Sequence, residues 1–369
     1  MCNTLYVKLT HHPIFELIGI LTLKPQQVVL LTPRGAQPSY DSEKLMTYFE
    51  RRSGSKIQMK TLDFTIRTEV EALSKSIRPE DAVLLTGLDQ IEDLTFFQSL
   101  TFKGTSIYFV EPDGEIWHLK DGHTTSIDPV SIELSDYFQS VGGRILHDEK
   151  QFYVHSAYDD ILSWIRSHYE IWTSVKGILR NPSQTKSIPE TPLISIQKSS
   201  PQLEKWLNYL KELGIAEVKY NPSKILIRFK HRHFKEYFMK FGMWFEHMVY
   251  TLIQQNHLLD SVNTGVLFSW DTSQNLVKNE LDVVGLSDNR LVIISCKDTT
   301  NINEHALNEI ALYTEGLAES ASIKILASTG ALNQTHLKAR ADSLDIHLLE
   351  FTGDEQGFIK DIKKLLSQS

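Results

Sequence analysis

At 369 residues the chain is long enough for two or three domains of about 100 to 200 residues each. Hydrophobic residues at 41% and charged residues at 23% exclude wholesale disorder, and a net charge of −8 excludes a generally basic coat, so any nucleic acid must be met by a local patch. Only Cys2 and Cys296 are present, and no apolar run approaches about 18 residues, so neither a disulfide framework, a membrane span nor a secretory leader is expected and a bacterial or archaeal cytoplasm is the expected location.

From residue 1 to about 145, short apolar runs alternate with helical patterns. Thr4–Thr10, Val28–Thr32, Lys56–Leu62, Asp81–Thr86 and Ser106–Val110 read as strands, with helices over about 13–22, 41–52, 65–77 and 90–100. This is the pattern of an α/β domain with a parallel sheet, and such sheets receive ligands beyond the carboxyl ends of their strands. Thr10, His11, Thr32, Arg34, Thr86 and Gly87 fall there and are the candidate ligand-binding residues. Hydroxyls, an arginine and a glycine suit a phosphate or a nucleotide. No GxGxxG occurs, so a nicotinamide dinucleotide is not indicated. Each threonine alone equally suits a helix or turn cap, and Arg34 a solvated surface charge; their joint position at strand ends is what favours a ligand. A hairpin around Asp121-Gly122 and the segment Leu134 to Gly143 then close the domain.

Residues 146–235 read as a connector. Phe152 to Gly177 carries an aromatic-rich helical pattern. Asn181 to Gln202 holds Pro182, Pro189, Pro192 and Pro201 among polar residues and reads as a linker or extended loop. Gln202 to Leu213 is an amphipathic helix followed by a hairpin, Glu217–Tyr220 and Lys224–Phe229, which together suggest a winged-helix-like element. The basic run Lys230 to Lys235 is either a solvated strand end or a phosphate contact.

Residues 236–369 form the third unit. A helix over 236–255 places Phe238, Phe241, Phe245, Met248 and Leu252 on one buried face, and a strand follows over Val262–Trp270. Asn279 to Lys297 reads as a hairpin about Ser287-Asp288-Asn289. Alternation puts Glu280 and Asp282 on one face of the first strand, and Ser295 and Lys297 together on the second. A surface ion pair between strand ends is one reading of Asp282 and Lys297. The other is chemical: oxygen ligands hold a divalent cation while a lysine ammonium orients water. After Lys297 the order helix, strand, helix, strand, helix completes an α/β core.

Asp282 followed by Ser295-Cys296-Lys297 resembles the motif of the PD-(D/E)xK nuclease superfamily, with Ser295 standing where an acid is usual. That resemblance implies Asp282 as the central metal ligand, Lys297 as the partner of water or phosphate, and Glu280 and the backbone carbonyl of Cys296 as further metal ligands for Mg²⁺ or Mn²⁺. Gly242-Met-Trp-Phe-Glu246 resembles the family's acid-bearing helix, which implies Glu246 as another active-site acid. The strand order, the Thr86-Gly87 loop, the Asp136 to Gly143 segment and the C-terminal motif together resemble the CRISPR-associated Rossmann-fold (CARF) nucleases, ancillary effectors of type III CRISPR systems. The resemblance implies an α/β chain with an N-terminal Rossmann-like CARF domain at 1–145, the connector at 146–235 and a restriction-endonuclease-like domain at 236–369. It also implies a homodimer that binds cyclic oligoadenylate, namely cyclic tetra-adenylate, as allosteric activator and cleaves DNA or RNA. Two rivals remain: a nucleotide-sensing regulator whose nuclease is inactive through Ser295, and an ungated repair-type nuclease.

Overall fold

The structure is a computed structural model that describes residues 2–35, 40–86, 91–101, 104–111, 114–150, 153, 156–197, 199–240, 242–270, 278–299, 301–318 and 322–368. The N-terminal part runs β1 (Thr4–Lys8), α1 (Ile14–Leu23), β2 (Gln27–Pro33), α2 (Ser42–Ser53), β3 (Lys56–Leu62), α3 (Arg67–Ser76), β4 (Ala82–Thr86), α4 (Ile91–Thr101), β5 (Ser106–Val110), β6 (Ile116–Lys120), β7 (His123–Ile127) and α5 (Leu134–Ser140). Its strands lie in the order β3-β2-β1-β4-β5-β6-β7, parallel through β5 and antiparallel beyond it. The expected strands and helices are therefore present, each within two residues of its predicted ends. The order reverses between β1 and β4, where an open parallel sheet forms its ligand crevice. Gly87 lies outside the described residues.

The connector comprises β8 (Arg144–His147), α6 (Ser156–Ser167), α7 (Tyr169–Arg180), β9 (Thr185–Ser187), β10 (Leu193–Ile196), α8 (Pro201–Glu212), β11 (Ala216–Asn221) and β12 (Lys224–Phe229). Strands β9 to β12 form a four-stranded antiparallel sheet in the order β11-β12-β10-β9. The proline-rich stretch 181–202 is thus not a loop throughout. Ile194 and Ile196 are fully buried on one face of β10, a period-two signal too short to stand out among the prolines that flank it.

The third part comprises α9 (Arg232–Met239), α10 (Met243–Gln255), β13 (Ser261–Ser269), β14 (Asn279–Ser287), β15 (Arg290–Lys297), α11 (Glu304–Leu317), β16 (Ser322–Ser328), α12 (Thr335–Ser343), β17 (His347–Glu350) and α13 (Glu355–Gln368). The predicted helix 236–255 is two helices, because Gly242 takes φ +107°, a conformation that a helix excludes. Phe241 lies outside the described residues. The basic run belongs to the start of α9 and not to a strand end. Lys235 is buried there, donating to the carbonyls of Ile188 at 2.8 Å and Thr191 at 2.6 Å, while Arg232 pairs with Glu190 and Glu236.

The C-terminal sheet has the order β17-β16-β15-β14-β13-β8, so the strand that leaves the N-terminal domain becomes its edge. Both faces of this sheet are buried, which explains the near-continuous apolar runs of β14 and β15. Leu281, Leu286, Leu291 and Ile293 pack with the core of α1, α2 and α5. Val283, Val292, Ile294 and Cys296 pack instead with α6, α7 and α10. At the hairpin turn, Asn289 accepts from the Ile132 amide at 3.0 Å, donates to Val130 O at 2.9 Å, and takes the Tyr137 hydroxyl on its carbonyl at 2.6 Å. The β14–β15 hairpin is therefore fastened to the N-terminal domain at one end and open to a cleft at the other.

Candidate active site

The β14–β15 ladder ends at Val283 opposite Ile294. One step further the strands part, and the Asp282 side chain replaces the missing ladder bond: its Oδ2 accepts from the Cys296 amide at 2.7 Å and from Ser295 Oγ at 3.1 Å. Lys297 Nζ stands 3.5 Å from the same oxygen and 4.0 Å from Glu309 Oε2. Burial pushes the Lys297 ammonium down, but the carboxylates of Asp282 and Glu309 outweigh it and hold the group above its ordinary value.

Glu246, on the first turn of α10, is buried in the same cleft. Burial first, and then the charges of Asp282, Glu149 and Glu280, push its carboxyl well above the ordinary range. A Cβ at position 242 would lie 2.7 Å from Glu246 Oε1 and 3.6 Å from the carbonyl of Cys296, so glycine leaves open a gap that two oxygens face. Glu280 sits at the exposed rim, its carboxyl raised by desolvation and then by Asp282. The thiol of Cys296 points into the core and burial pushes it up, which leaves its carbonyl as the atom offered to the cleft. The cleft has a volume of about 600 Å³ and also receives Lys240, Glu149 and Glu309, none of which was marked from the sequence. Glu309 had a weak signal, one residue before Ile310 on the apolar face of α11.

Residues 235–365 match the family model of the Card1-like endonuclease domain. The C-terminal part of the chain is thus similar to the Card1-like endonuclease domain. No curated protein matches the chain. In fold, the whole chain is similar to Can2 from Sulfobacillus thermosulfidooxidans in complex with cyclic tetra-adenylate (TM-score 0.74, 18% identity, 99% of this chain and 97% of that one). It is also similar to protein VC1899 from Vibrio cholerae (TM-score 0.73, 16% identity, 99% and 97%). A type III CRISPR defence DNA nuclease activated by cyclic oligoadenylate matches with TM-score 0.54 and 14% identity over 98% of this chain and 52% of that one. The likeness to Can2 and VC1899 is one of fold, and it spans the N-terminal and C-terminal parts alike.

Among the described residues, no three His, Cys, Asp or Glu side chains stand ready to enclose a metal ion. The donor set nevertheless fits Mg²⁺ or Mn²⁺. Mg²⁺ keeps several waters and takes one or two carboxylates rather than a full protein cage. Asp282, Glu246, Glu280 and the Cys296 carbonyl offer hard oxygens around one gap, and the acids that line the cleft outnumber its lysines, Lys240, Lys278 and Lys297.

Behind the cleft, Asp298 is fully buried and accepts from Lys176 at 2.5 Å, from Thr329 Oγ1 at 2.6 Å, and from Arg180 and the Trp244 indole. Burial opposes its ionisation, yet these partners hold the carboxyl below its ordinary value. Lys176 and Arg180 lie on α7, so the connector grips the end of β15.

At the N-terminal crevice the structure brings together Thr10 and Thr86. Glu16 of α1 joins them, its Oε1 accepting from the Thr10 amide at 2.9 Å and Thr86 Oγ1 at 3.0 Å. Glu16 Oε2 and Thr32 Oγ1 are buried without a hydrogen-bond partner. His11 is exposed, and Arg34 is exposed but paired with Glu69 at 3.0 Å. Glu16 was missed from the sequence, although an acid inside the apolar run Ile14-Phe15-Glu16-Leu17-Ile18 was a signal.

Proposed function

We propose that this chain is a homodimeric, cyclic-oligoadenylate-activated, metal-dependent endonuclease of type III CRISPR defence, with cyclic tetra-adenylate as its activator and DNA or RNA phosphodiesters as its substrate. The sensor would occupy residues 1–145, the connector 146–235 and the nuclease 236–369, acting in the cytoplasm. The observation that carries this reading is the convergence of Asp282, Glu246, Glu280 and Lys297 in one cleft of a Card1-like domain whose hairpin turn is fastened to a Rossmann-like domain.

A divalent cation bound in the cleft would neutralise charge on the scissile phosphate. The chain's own residues supply the rest. Asp282 and the Cys296 carbonyl would hold the cation; Lys297, whose charge Asp282 and Glu309 favour, would orient the attacking water and face the phosphate. The activator would enter the crevice of Thr10, Thr32, Thr86, His11, Arg34 and Gly87. It shifts the nuclease only through tighter binding to the active arrangement, and the shared core and Asn289 provide the physical link between the two sites.

The test is a cleavage assay crossing Mn²⁺, Mg²⁺ or chelator with cyclic tetra-adenylate, cyclic hexa-adenylate or none, on duplex DNA, single-stranded DNA and RNA. Cleavage that needs both metal and cyclic tetra-adenylate is expected. Equal cleavage without activator would establish the ungated rival, and activator binding with no cleavage would establish the regulator.

A further inference from the structure

Ser295 leaves β15 without the acid that would flank Lys297, and a carboxylate reaches the cleft from elsewhere in the chain. Glu149 lies two residues beyond β8, the strand that carries the chain out of the N-terminal domain. Its amide donates to the Thr264 carbonyl at 2.9 Å, which extends the β8–β13 pairing. The Tyr153 hydroxyl donates to Glu149 Oε2 at 3.3 Å, and the Tyr153 ring stacks on buried His247 with centroids 4.0 Å apart. The carboxylate is therefore held from both ends.

A second observation concerns the strand beneath it. The β13–β14 register sets Thr264 opposite Val283 and Val266 opposite Leu281, so Gly265 falls opposite Asp282. Gly265 has φ +56°, and a Cβ there would lie 2.3 Å from Glu149 Cγ and 2.8 Å from its Cβ. Any side chain at 265 would push Glu149 out of the place it takes in the cleft that Asp282 also lines. A glycine in a strand interior weakens the strand and marks close approach by another group; here that group is an acid.

We propose that Glu149 supplies the acid missing at Ser295, holding the divalent cation in the cleft through its bound water from a strand that also joins the two domains. The inference rests on the metal-dependent nuclease reading. A purely structural Glu149 makes a different prediction. Glu149→Gln keeps the oxygen that accepts from Tyr153 and leaves the backbone bond to Thr264 untouched, so a structural role would survive it.

The experiment uses the full-length protein. Mn²⁺ binding is measured by calorimetry without nucleic acid, beside activator-dependent cleavage. Glu149→Gln is expected to weaken Mn²⁺ binding about tenfold or more and to lower cleavage by about tenfold to a hundredfold, as loss of an outer ligand does, with the activator midpoint unchanged. Gly265→Ala is expected to move both readouts the same way, with its melting temperature checking the fold. Adding Ser295→Glu to Glu149→Gln should restore Mn²⁺ affinity to near the wild-type value. Wild-type Mn²⁺ affinity in Glu149→Gln, or no restoration by Ser295→Glu, would overturn the proposal. Weakened Mn²⁺ binding in Glu149→Gln, beside a wild type that cleaves nothing, would sustain the role of Glu149 and overturn the nuclease reading.

Discussion

Asp282 and Asp298 flank the same lysine, and their surroundings differ in the way that separates a site from a support. Asp298 has no exposed side-chain surface and faces two cations, an indole and a hydroxyl, so its charge is more than balanced and its position closed. Asp282 keeps 19% of its side chain exposed, meets one ammonium at 3.5 Å and shares its cleft with Glu246 and Glu280. The first arrangement holds the connector to β15. The second leaves net negative charge around an open gap, which a divalent cation would relieve. Crowded acids that raise one another are costly in a folded chain, and they mark functional sites when they line a cleft.

Neutralising each acid in turn tests the contrast. Asp282→Asn should lower cleavage by several orders of magnitude while leaving the melting temperature unchanged or higher, since one charge of a repulsive cluster is removed; Lys297→Ala should lower cleavage as far but also lower the melting temperature, since it takes from that cluster the cation that Asp282 and Glu309 face. Single-turnover cleavage beside thermal melts checks this, and near-normal turnover in both variants would exclude the hairpin as the site. Asp298→Asn should act the opposite way, mainly on stability. It strands Lys176 and Arg180 beside a neutral amide, and removing one partner of a buried ion pair costs about 3 to 5 kcal/mol. A urea midpoint equal to that of the wild type would show that the cations find other partners, and the contrast between the two acids would fail.

Much of this architecture was legible because its signals are local. The hairpin Asn279 to Lys297 announced itself by period-two alternation around a turn, and the N-terminal strands by apolar runs between helical patterns. What stayed hidden depends on contacts distant in sequence. Glu149 sits in the polar run His147-Asp148-Glu149-Lys150, which has no periodicity, and only the β8–β13 pairing brings it into the cleft. The apolar spacing of 236–255 continues straight through Gly242, so nothing local separates one helix from two; the left-handed backbone that breaks it opens the gap between Glu246 and the Cys296 carbonyl. Lys235 read as solvated because charge dominates its neighbours in sequence, yet two carbonyls of the 188–191 turn bury it.

Glu16 extends the comparison to a buried acid with no cation beside it among the described residues. Its carboxyl is fully buried under the crevice, with Oε1 satisfied by Thr10 and Thr86 and Oε2 unpartnered. Burial pushes its pKa from the ordinary 4.5 up to about 7, against the smaller opposing effect of those hydrogen bonds. The folded chain therefore binds the Glu16 proton more tightly than the unfolded chain does. Between the two pKa values the folded state carries the extra proton, so stability falls as pH rises through this window, and the loss is complete above the folded value. A shift of this size corresponds to about 3 kcal/mol at 1.36 kcal/mol per pH unit. Glu16→Gln stays neutral at every pH and keeps an oxygen for the Thr10 amide and the Thr86 hydroxyl. Urea unfolding of wild type and variant should coincide near pH 4 and separate by pH 8, where the variant is the more stable by about 3 kcal/mol. Parallel stability curves across that range would show that the carboxylate is accommodated when it ionises. Asp298 and Glu16 would then differ only in which partner each finds, and not in whether it has one.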